Sequence, residues 1–462
     1  MSGRRLRLSP DRNLLGWALA WLVLAVASVP LVGLRFWVPG MGALLVAAVL
    51  ADAYLALREP SIVLEREVPE KGARLREDEI TLCVRNPLPR PVRMQLRDSV
   101  PRDLLSPEPQ WSDLRVEAES LKKLHYTIRP KVRGRRSWGK AAALVRSPLG
   151  LLRRCVESAS PSVLLVQPET ARYLRAEALD PKRVLATLGV RPKRLRGDGL
   201  EFDSLRDYVI GDEPRRIDWR ATARRGRPIV RTHRHEESRT VLIVLDRSRL
   251  MGARAPHPAE RAVQEGFSST KLDHAIDAGL ALAFASLAAG DRVGLLVFDR
   301  EIVGQIAPVA HRASLGLFVE ALSAVQPSSF EADYRRLTRE ILTRQRKRAM
   351  VIVLTDFMEV DREELIQPMS LLARRHEVVF VALREPILEQ LEDDDLDASR
   401  GADRKSGRVG LYRRIVLADL LREREARLMT LRRQGLSVLD VPPSEATAST
   451  LNRYLELRYG VG

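Results

Sequence analysis

Residues 240–248 read TVLIVLDRS, and residues 349–357 read AMVIVLTDF. In each, an unbroken run of β-branched residues and leucine ends in an acid. A strand with one wet face alternates apolar and polar side chains. A run that is apolar at every position is buried on both faces, the pattern of a parallel strand covered by helices. The sequence around the two runs agrees. KLDHAIDAGLALAFASLAAG (271–290) carries Leu272, Ala275, Ile276, Leu280, Ala283, Phe284 and Leu287 at helical spacing. DRVGLLVFD (291–299) is the next strand, with EIVGQIAPV as an antiparallel partner. RASLGLFVEALSAV and YRRLTREILTRQRKR read as helices. EELIQPMSLLARRH and EVVFVALRE repeat the helix–strand unit, and a long helix (411–434), LSVLDVPP and ATASTLNRYLELRY close the chain. Residues 240–462 therefore predict a doubly wound α/β domain, an open and mostly parallel sheet with helices on both faces. Residues 386–410, PILEQLEDDDLDASRGADRKSGRVG, interrupt the alternation and read as a polar surface insertion.

In such sheets ligands bind beyond the carboxyl ends of the strands. Asp246 and Asp356 stand at two of those ends, and Ser248 follows the first acid by two residues. Two carboxylates and a hydroxyl on neighbouring loops can hold Mg²⁺ or Mn²⁺ through oxygen and water. The competing reading makes both acids strand-end residues that cap nearby backbone amides. The arrangement resembles the metal-ion-dependent adhesion site of von Willebrand factor A domains. The first loop of that family is D-x-S-x-S, its second supplies a threonine, and its third an aspartate in a T-D-G-like turn. Asp246, Ser248 and Asp356 fit. Leu250 stands where the second serine belongs, and Ala332 where the threonine belongs; Ser328 or Ser329 substitutes only if the loop shifts.

Upstream, residues 197–224 read GDGLEFDSLRDYVIGDEPRRIDWRATAR. A solvated linker does not need Phe202, Tyr208 and Trp219, and a nucleic-acid patch does not need this density of acids. The segment resembles the signature of the domain of unknown function 58 family, carried by Gly199, Glu201, Phe202, Arg206, Tyr208, Gly211, Asp212, Arg215, Asp218, Trp219 and Arg224 among others. Physically, residues 171–239 read as a docking collar. Its acids and arginines pair with one another or with the α/β domain, and Trp219, Phe202 and Tyr208 pin them to its surface.

Residues 58–170 hold short alternating runs, such as SIVLEREV, EITLCVRN and SVLLVQP, punctuated by Pro and Gly, and predict a small β-sandwich. Its end, IRPKVRGRRSW and SPLGLLRR, again resembles that family, with Ser147 where an acid is usual. Before it lie two apolar stretches, LLGWALAWLVLAVASVPLVGL (14–34) and FWVPGMGALLVAAVLADAYLAL (36–57), which predict a two-helix transmembrane hairpin within residues 1–57. Asp52, near the end of the second stretch, is read as reaching headgroup water. Arg4, Arg5, Arg7 and Arg12 precede the first span, against Arg35 alone in the loop, so the N-terminus and everything after the hairpin are expected on the cytoplasmic side of the cytoplasmic membrane.

The net charge is +17, which suits an acidic partner. Aromatic content is 5%, too low for a base-stacking platform, and the arginines are spread along the chain, so membrane lipid is favoured over nucleic acid. Two cysteines, Cys83 and Cys155, make no disulfide framework. No phosphate-loop or nucleophile-elbow motif occurs. The expectation is a non-enzymatic, membrane-anchored adaptor whose α/β domain docks protein partners. The family resemblance implies work with a MoxR-type AAA+ ATPase in assembling or maturing other proteins. The alternatives are a metal-dependent hydrolase using Asp246, Asp356 and Asp333, and a membrane-proximal nucleic-acid binder.

Overall fold

The computed structural model describes residues 7–29, 36–104, 108–158, 161–171, 202–208, 217–233, 239–256, 269–356, 362–385 and 407–459. The chain divides into two compact units, Met1–Glu169 with Glu265–Phe267, and Thr170–Gln264 with Ser268–Gly462.

The first unit runs β1 (Arg7–Pro10), α1 (Arg12–Ala27), α2 (Trp37–Arg58), β2 (Val63–Glu67), β3 (Lys71–Ala73), β4 (Asp78–Arg85), β5 (Val92–Arg97), β6 (Gln110–Val116), β7 (Leu121–Ile128), β8 (Gly134–Ser137), β9 (Ala142–Arg146), β10 (Leu152–Glu157) and β11 (Val163–Gln167). These strands form three sheets, ordered β1-β10-β9-β5-β6, β2-β4-β7 and β3-β11-β8. Alternation does the sorting: along β5, Val92, Met94 and Leu96 point inward and Arg93 and Arg97 outward. The inward residues of β5 and β9 meet Leu64, Leu82 and Val84 of the β2-β4-β7 sheet in one core.

The basic start is more than a charged tail. Arg7–Pro10 pairs antiparallel with β10, Arg7 opposite Cys155 and Pro10 opposite Leu152. Helix α1 is shorter than the apolar run that predicted it. It ends at Ala27, close before Pro30, whose ring disfavours helix in the residue preceding it. Among the described residues one helix, α2, is long and apolar enough to cross a membrane. The loop expected around Arg35 lies outside the described residues. The two helices touch through Trp21, whose indole Nε1 donates to the Val38 carbonyl at 3.1 Å.

Asp52 does not reach headgroup water. It is fully buried, six residues before the end of α2, and its carboxylate is used up by the turn between β9 and β10. Oδ1 accepts from the Leu149 amide at 2.8 Å; Oδ2 accepts from the Leu151 and Leu152 amides at 3.0 and 3.1 Å and from the Ser147 hydroxyl. Gly150 makes that turn possible, with φ at +73°. Arg154, on β10, donates to the carbonyls of Ala56, Glu59 and Pro60 at 2.8 to 3.0 Å, closing the C-terminal end of α2. At the start of α1, Asp11 is fully buried and accepts from Arg146 Nε at 3.0 Å and Arg153 Nε at 2.9 Å. Burial pushes its carboxyl up, but the hydrogen bonds from Arg153 and Arg146 outweigh that and hold it at about 2. Both outer ends of the helix pair are thus fastened to β9, β10 and the turn joining them.

The second unit begins with a β12 (Phe202–Asp207) and β13 (Ile229–His233) ribbon around α3 (Trp219–Arg225). It continues β14 (Thr240–Asp246), α4 (Lys271–Ala288), β15 (Arg292–Phe298), β16 (Ile302–Val309), α5 (Leu315–Ala324), α6 (Tyr334–Arg344), β17 (Met350–Thr355), α7 (Arg362–Ala373), β18 (Glu377–Leu383), α8 (Gly407–Arg433), β19 (Ser437–Val441) and α9 (Ala446–Tyr459). The six-stranded sheet has the order β16-β15-β14-β17-β18-β19. Only β16 runs antiparallel to its neighbour. Val241, Ile243 and Leu245 face the helices α4, α5 and α9; Leu242 and Val244 face α6, α7 and α8. The fold is mixed α/β, and the continuous apolar runs are continuous because both faces are covered. Of the predicted insertion, residues 386–406 lie outside the described residues, and α8 already begins at Gly407.

Candidate functional site

Strand order reverses at β14. The chain moves from β14 to β15 on one side, then returns to place β17 on the other. The carboxyl ends of β14 and β17 flank that switch point, where open α/β sheets form a crevice. Asp246 and Asp356 are both there, buried to 0% and 1% exposure.

Their environments differ. Asp246 Oδ1 accepts from the Ser248 amide at 2.7 Å, and Oδ2 accepts from Thr355 Oγ1 at 2.5 Å. The threonine hydroxyl has one proton, so Tyr334 donates its own to Thr355, at 2.7 Å. Burial pushes the Asp246 carboxyl up to about 6, against the pull of the Thr355 and Ser248 hydrogen bonds. The Tyr334 phenol is pushed well above its ordinary value by burial and by the charge of Asp246.

Asp356 faces a cation from its own chain. The Lys271 ammonium, on the first turn of α4, is completely buried and pairs with both Asp356 and Glu385. Arg424 of α8 lies 3.9 Å from the same aspartate and binds Asp440 at 2.9 Å and the Leu383 carbonyl at 3.2 Å. Lys271, Glu385, Arg424, Thr355 and Tyr334 were not anticipated as site residues. One signal was available. Lys271 directly follows Thr270, the N-cap of α4, whose side chain forms a reciprocal capping box with Asp273. A cation in the first turn opposes the helix dipole, which favours acids there, so a buried lysine at that position calls for a carboxylate facing it.

The remaining adhesion-site positions are not donors. Leu250 lies in a short 3₁₀ turn, Arg249–Gly252, and Ala332 packs against the core beside α6. Ser328 serves a second acid instead. Its hydroxyl, the Glu301 amide and Arg247 Nε hold Asp299; burial raises that carboxyl, and these bonds bring it below its ordinary value. Ser329 is exposed. Asp333 caps α6 by accepting from the Arg336 amide at 2.8 Å and does not join the other two acids. Among the described residues, no group of three or more His, Cys, Asp or Glu is gathered as metal ligands. Asp246, Ser248 and Asp356 therefore come together in space but do not fit a divalent ion. The amide-capping reading accounts for Asp246, and an ion pair accounts for Asp356.

Of the signature segment, Gly199, Glu201, Gly211, Asp212 and Arg215 lie outside the described residues. Phe202 and Arg206 are on β12, which pairs antiparallel with β13. The Tyr208 amide donates to the Pro228 carbonyl at 2.9 Å. Asp218 is the N-cap of α3, accepting from the Arg220 and Ala221 amides at 3.0 and 3.1 Å, and Gly226 ends that helix at φ +68°. Thr222 accepts from the Ile229 amide at 3.0 Å, which ties α3 to β13. The signature thus writes a capped helix and its seat. Trp219 does not pin it: its side chain is 70% exposed, and Arg220, Arg224 and Arg225 around it are exposed too.

Residues 204–409 match the family model described as "Protein of unknown function DUF58". The match runs from β12 to the start of α8. Uncharacterized proteins of Mycobacterium bovis and Mycobacterium tuberculosis are 26% identical over 254 residues, 51% of this chain and 75% of theirs. A CARDB domain from Pyrococcus furiosus, solved in complex with di-metal ions, covers 22% of this chain and 90% of its own at 14% identity. Its TM-score is 0.16, a likeness too slight to bear on fold or metal.

Proposed function

We propose that this protein is a non-enzymatic, membrane-anchored adaptor whose von Willebrand A-like domain docks protein partners on the cytoplasmic side of the cytoplasmic membrane. The observation that carries the reading is the switch-point crevice, filled by the chain's own ion pair where a catalytic or ligand-binding group would stand. The anchor is α1 and α2 as a two-span hairpin. Their outward side chains support it: Leu19, Val23, Leu44 and Leu50 are more than half exposed, a surface that lipid would cover. The fastening of both outer ends to the same strands supports it too, because a hairpin would return the chain to the side from which it entered.

The partner reading rests on the resemblance of the signature segment, which implies work with a MoxR-type AAA+ ATPase. Such a partner supplies the nucleotide hydrolysis for which this sequence has no phosphate loop. The docking surface offered is α3 in the signature segment that leads into the A-like domain, where exposed Trp219 stands among Arg220, Arg224 and Arg225. An exposed aromatic beside arginines is the composition of a binding hot spot, and the arginines suit an acidic face.

The test is capture of the MoxR-type ATPase of the same organism by the full chain in lipid nanodiscs. Trp219→Ala is expected to weaken capture at least about tenfold, the usual loss for a hot-spot aromatic. Capture at wild-type strength by Trp219→Ala would move the docking surface elsewhere, and no capture by the wild type would sink the partner reading.

A further inference from the structure

We infer that Lys271 is the resident cation of the switch-point crevice, and that the α/β domain is built to work there without a divalent metal. The argument starts from where the charge sits. Nζ of Lys271 pairs with Asp356 at the end of β17 and with Glu385 just past the end of β18, with the whole side chain buried. Lys271 holds Asp356 Oδ2 and Arg424 stands 3.9 Å from Oδ1, so a metal bound to this carboxylate would meet positive charge beside either oxygen. A second cation there meets repulsion that low-dielectric surroundings magnify.

Nor are the other donors available to a metal. Both oxygens of Asp246 accept hydrogen bonds from within the fold, one from the Ser248 amide and one from Thr355, with Tyr334 fixing the threonine in turn. A Mg²⁺ ion demands near-octahedral oxygen coordination. Leu250 and Ala332 offer none. The chemistry is therefore self-contained: a single positive charge on a side chain replaces a double charge recruited from solution. A carboxylate from a partner cannot complete this site in the way it completes a metal's coordination shell, since the ammonium is covered. Docking must occur on another surface.

The wild-type full chain in detergent is titrated with Mg²⁺ and with Mn²⁺ by calorimetry, and melted with and without EDTA. The expected result is no saturable one-site binding and no EDTA-dependent change in Tm. One-site binding by wild type that Asp246→Ala abolishes would overturn the inference. Two variants test the charge itself. Lys271→Met keeps most of the volume and removes the charge; it is expected to lower Tm by on the order of 10 °C, because it takes the ammonium from the buried Asp356 carboxylate. Lys271→Ala opens the space as well and is expected to lower Tm at least as far, with no recovery by Mn²⁺ because the remaining donors are engaged; recovery by Mn²⁺ would overturn that claim. A Lys271→Met protein that melts with the wild type would show that the ammonium neutralises nothing, and would also overturn the inference. If neither variant folds, the wild-type titration still decides. This inference rests on the same filled crevice as the docking reading, but no partner protein enters these measurements, so its failure and the failure of partner capture are told apart.

Discussion

Two buried acids of this molecule, Asp52 and Asp356, solve the same problem by different means. Asp52 is surrounded by backbone: three amides and one hydroxyl of a single turn converge on it. Asp356 is surrounded by side-chain cations that come from α4 and α8. An acid held by amides dictates the path of the chain around it, because Leu149, Leu151 and Leu152 must all turn their N–H groups toward one carboxylate. An acid held by a lysine dictates only that a positive charge be near. The first arrangement fixes geometry, and the second balances charge.

The largest test of that difference is Asp52→Ala. It leaves the Leu149 and Leu151 amides and the Ser147 hydroxyl without their acceptor, while the Leu152 amide keeps its 3.0 Å bond to Ser147 Oγ, and is expected to cost on the order of 3 kcal/mol. Limited proteolysis of the β9–β10 turn in nanodiscs reads it out. Cleavage unchanged from wild type would mean that the turn holds its shape without the carboxylate.

Acid titration sharpens the comparison further, because Asp246 and Asp11 have shifts of opposite sign. Asp246 is raised from 3.8 to about 6, so the folded state takes up its proton first. Stability is expected to rise as pH falls from about 6 to about 4, by on the order of 3 kcal/mol, and Asp246→Asn should lack that slope. Asp11 is lowered from 3.8 to about 2, so its contribution is present above about pH 4 and is lost as pH falls towards 2. That contribution is roughly 2 kcal/mol, and Asp11→Asn should remove it at neutral pH. Denaturant melts of each variant against wild type across this range would show the two slopes. Parallel curves for wild type and variant would refute the assignment for that residue.

The smallest expected effect is on the stability of Trp219→Ala. A side chain this exposed should change it by no more than about 0.5 kcal/mol, even where partner capture falls. A loss several times larger would give Trp219 a structural seat.

The sequence announces the α/β unit because its central strands β14, β15, β17 and β18 are continuously apolar, a local property that needs no partner to be seen. β16 was legible for a different reason: its apolar residues alternate with exposed ones and follow β15 after a short turn, the pattern of an antiparallel edge strand. β1 was not legible: Arg-Leu-Ser-Pro has no strand signal of its own, and its partner β10 lies more than a hundred residues away. Asp52 was misread for a related reason. A lone carboxylate in an apolar helix states only that something must satisfy it, and the turn that does so has no sequence mark of that task. At the crevice, the two strand-end acids and Ser248 could be placed from their spacing. Lys271 belongs to a helix whose register with Asp356 depends on tertiary packing.

The pairing of β1 with β10 bears on how the protein is handled. A truncation starting near Arg58, the obvious choice for a water-soluble fragment, deletes β1 and Asp52 together. It converts β10 from an interior strand into an open edge, and unprotected edges recruit strands from other molecules. Aggregation of such a fragment would therefore report a missing strand as much as a missing membrane. A fragment that restores Arg7–Pro10 as a tethered peptide should stay dispersed.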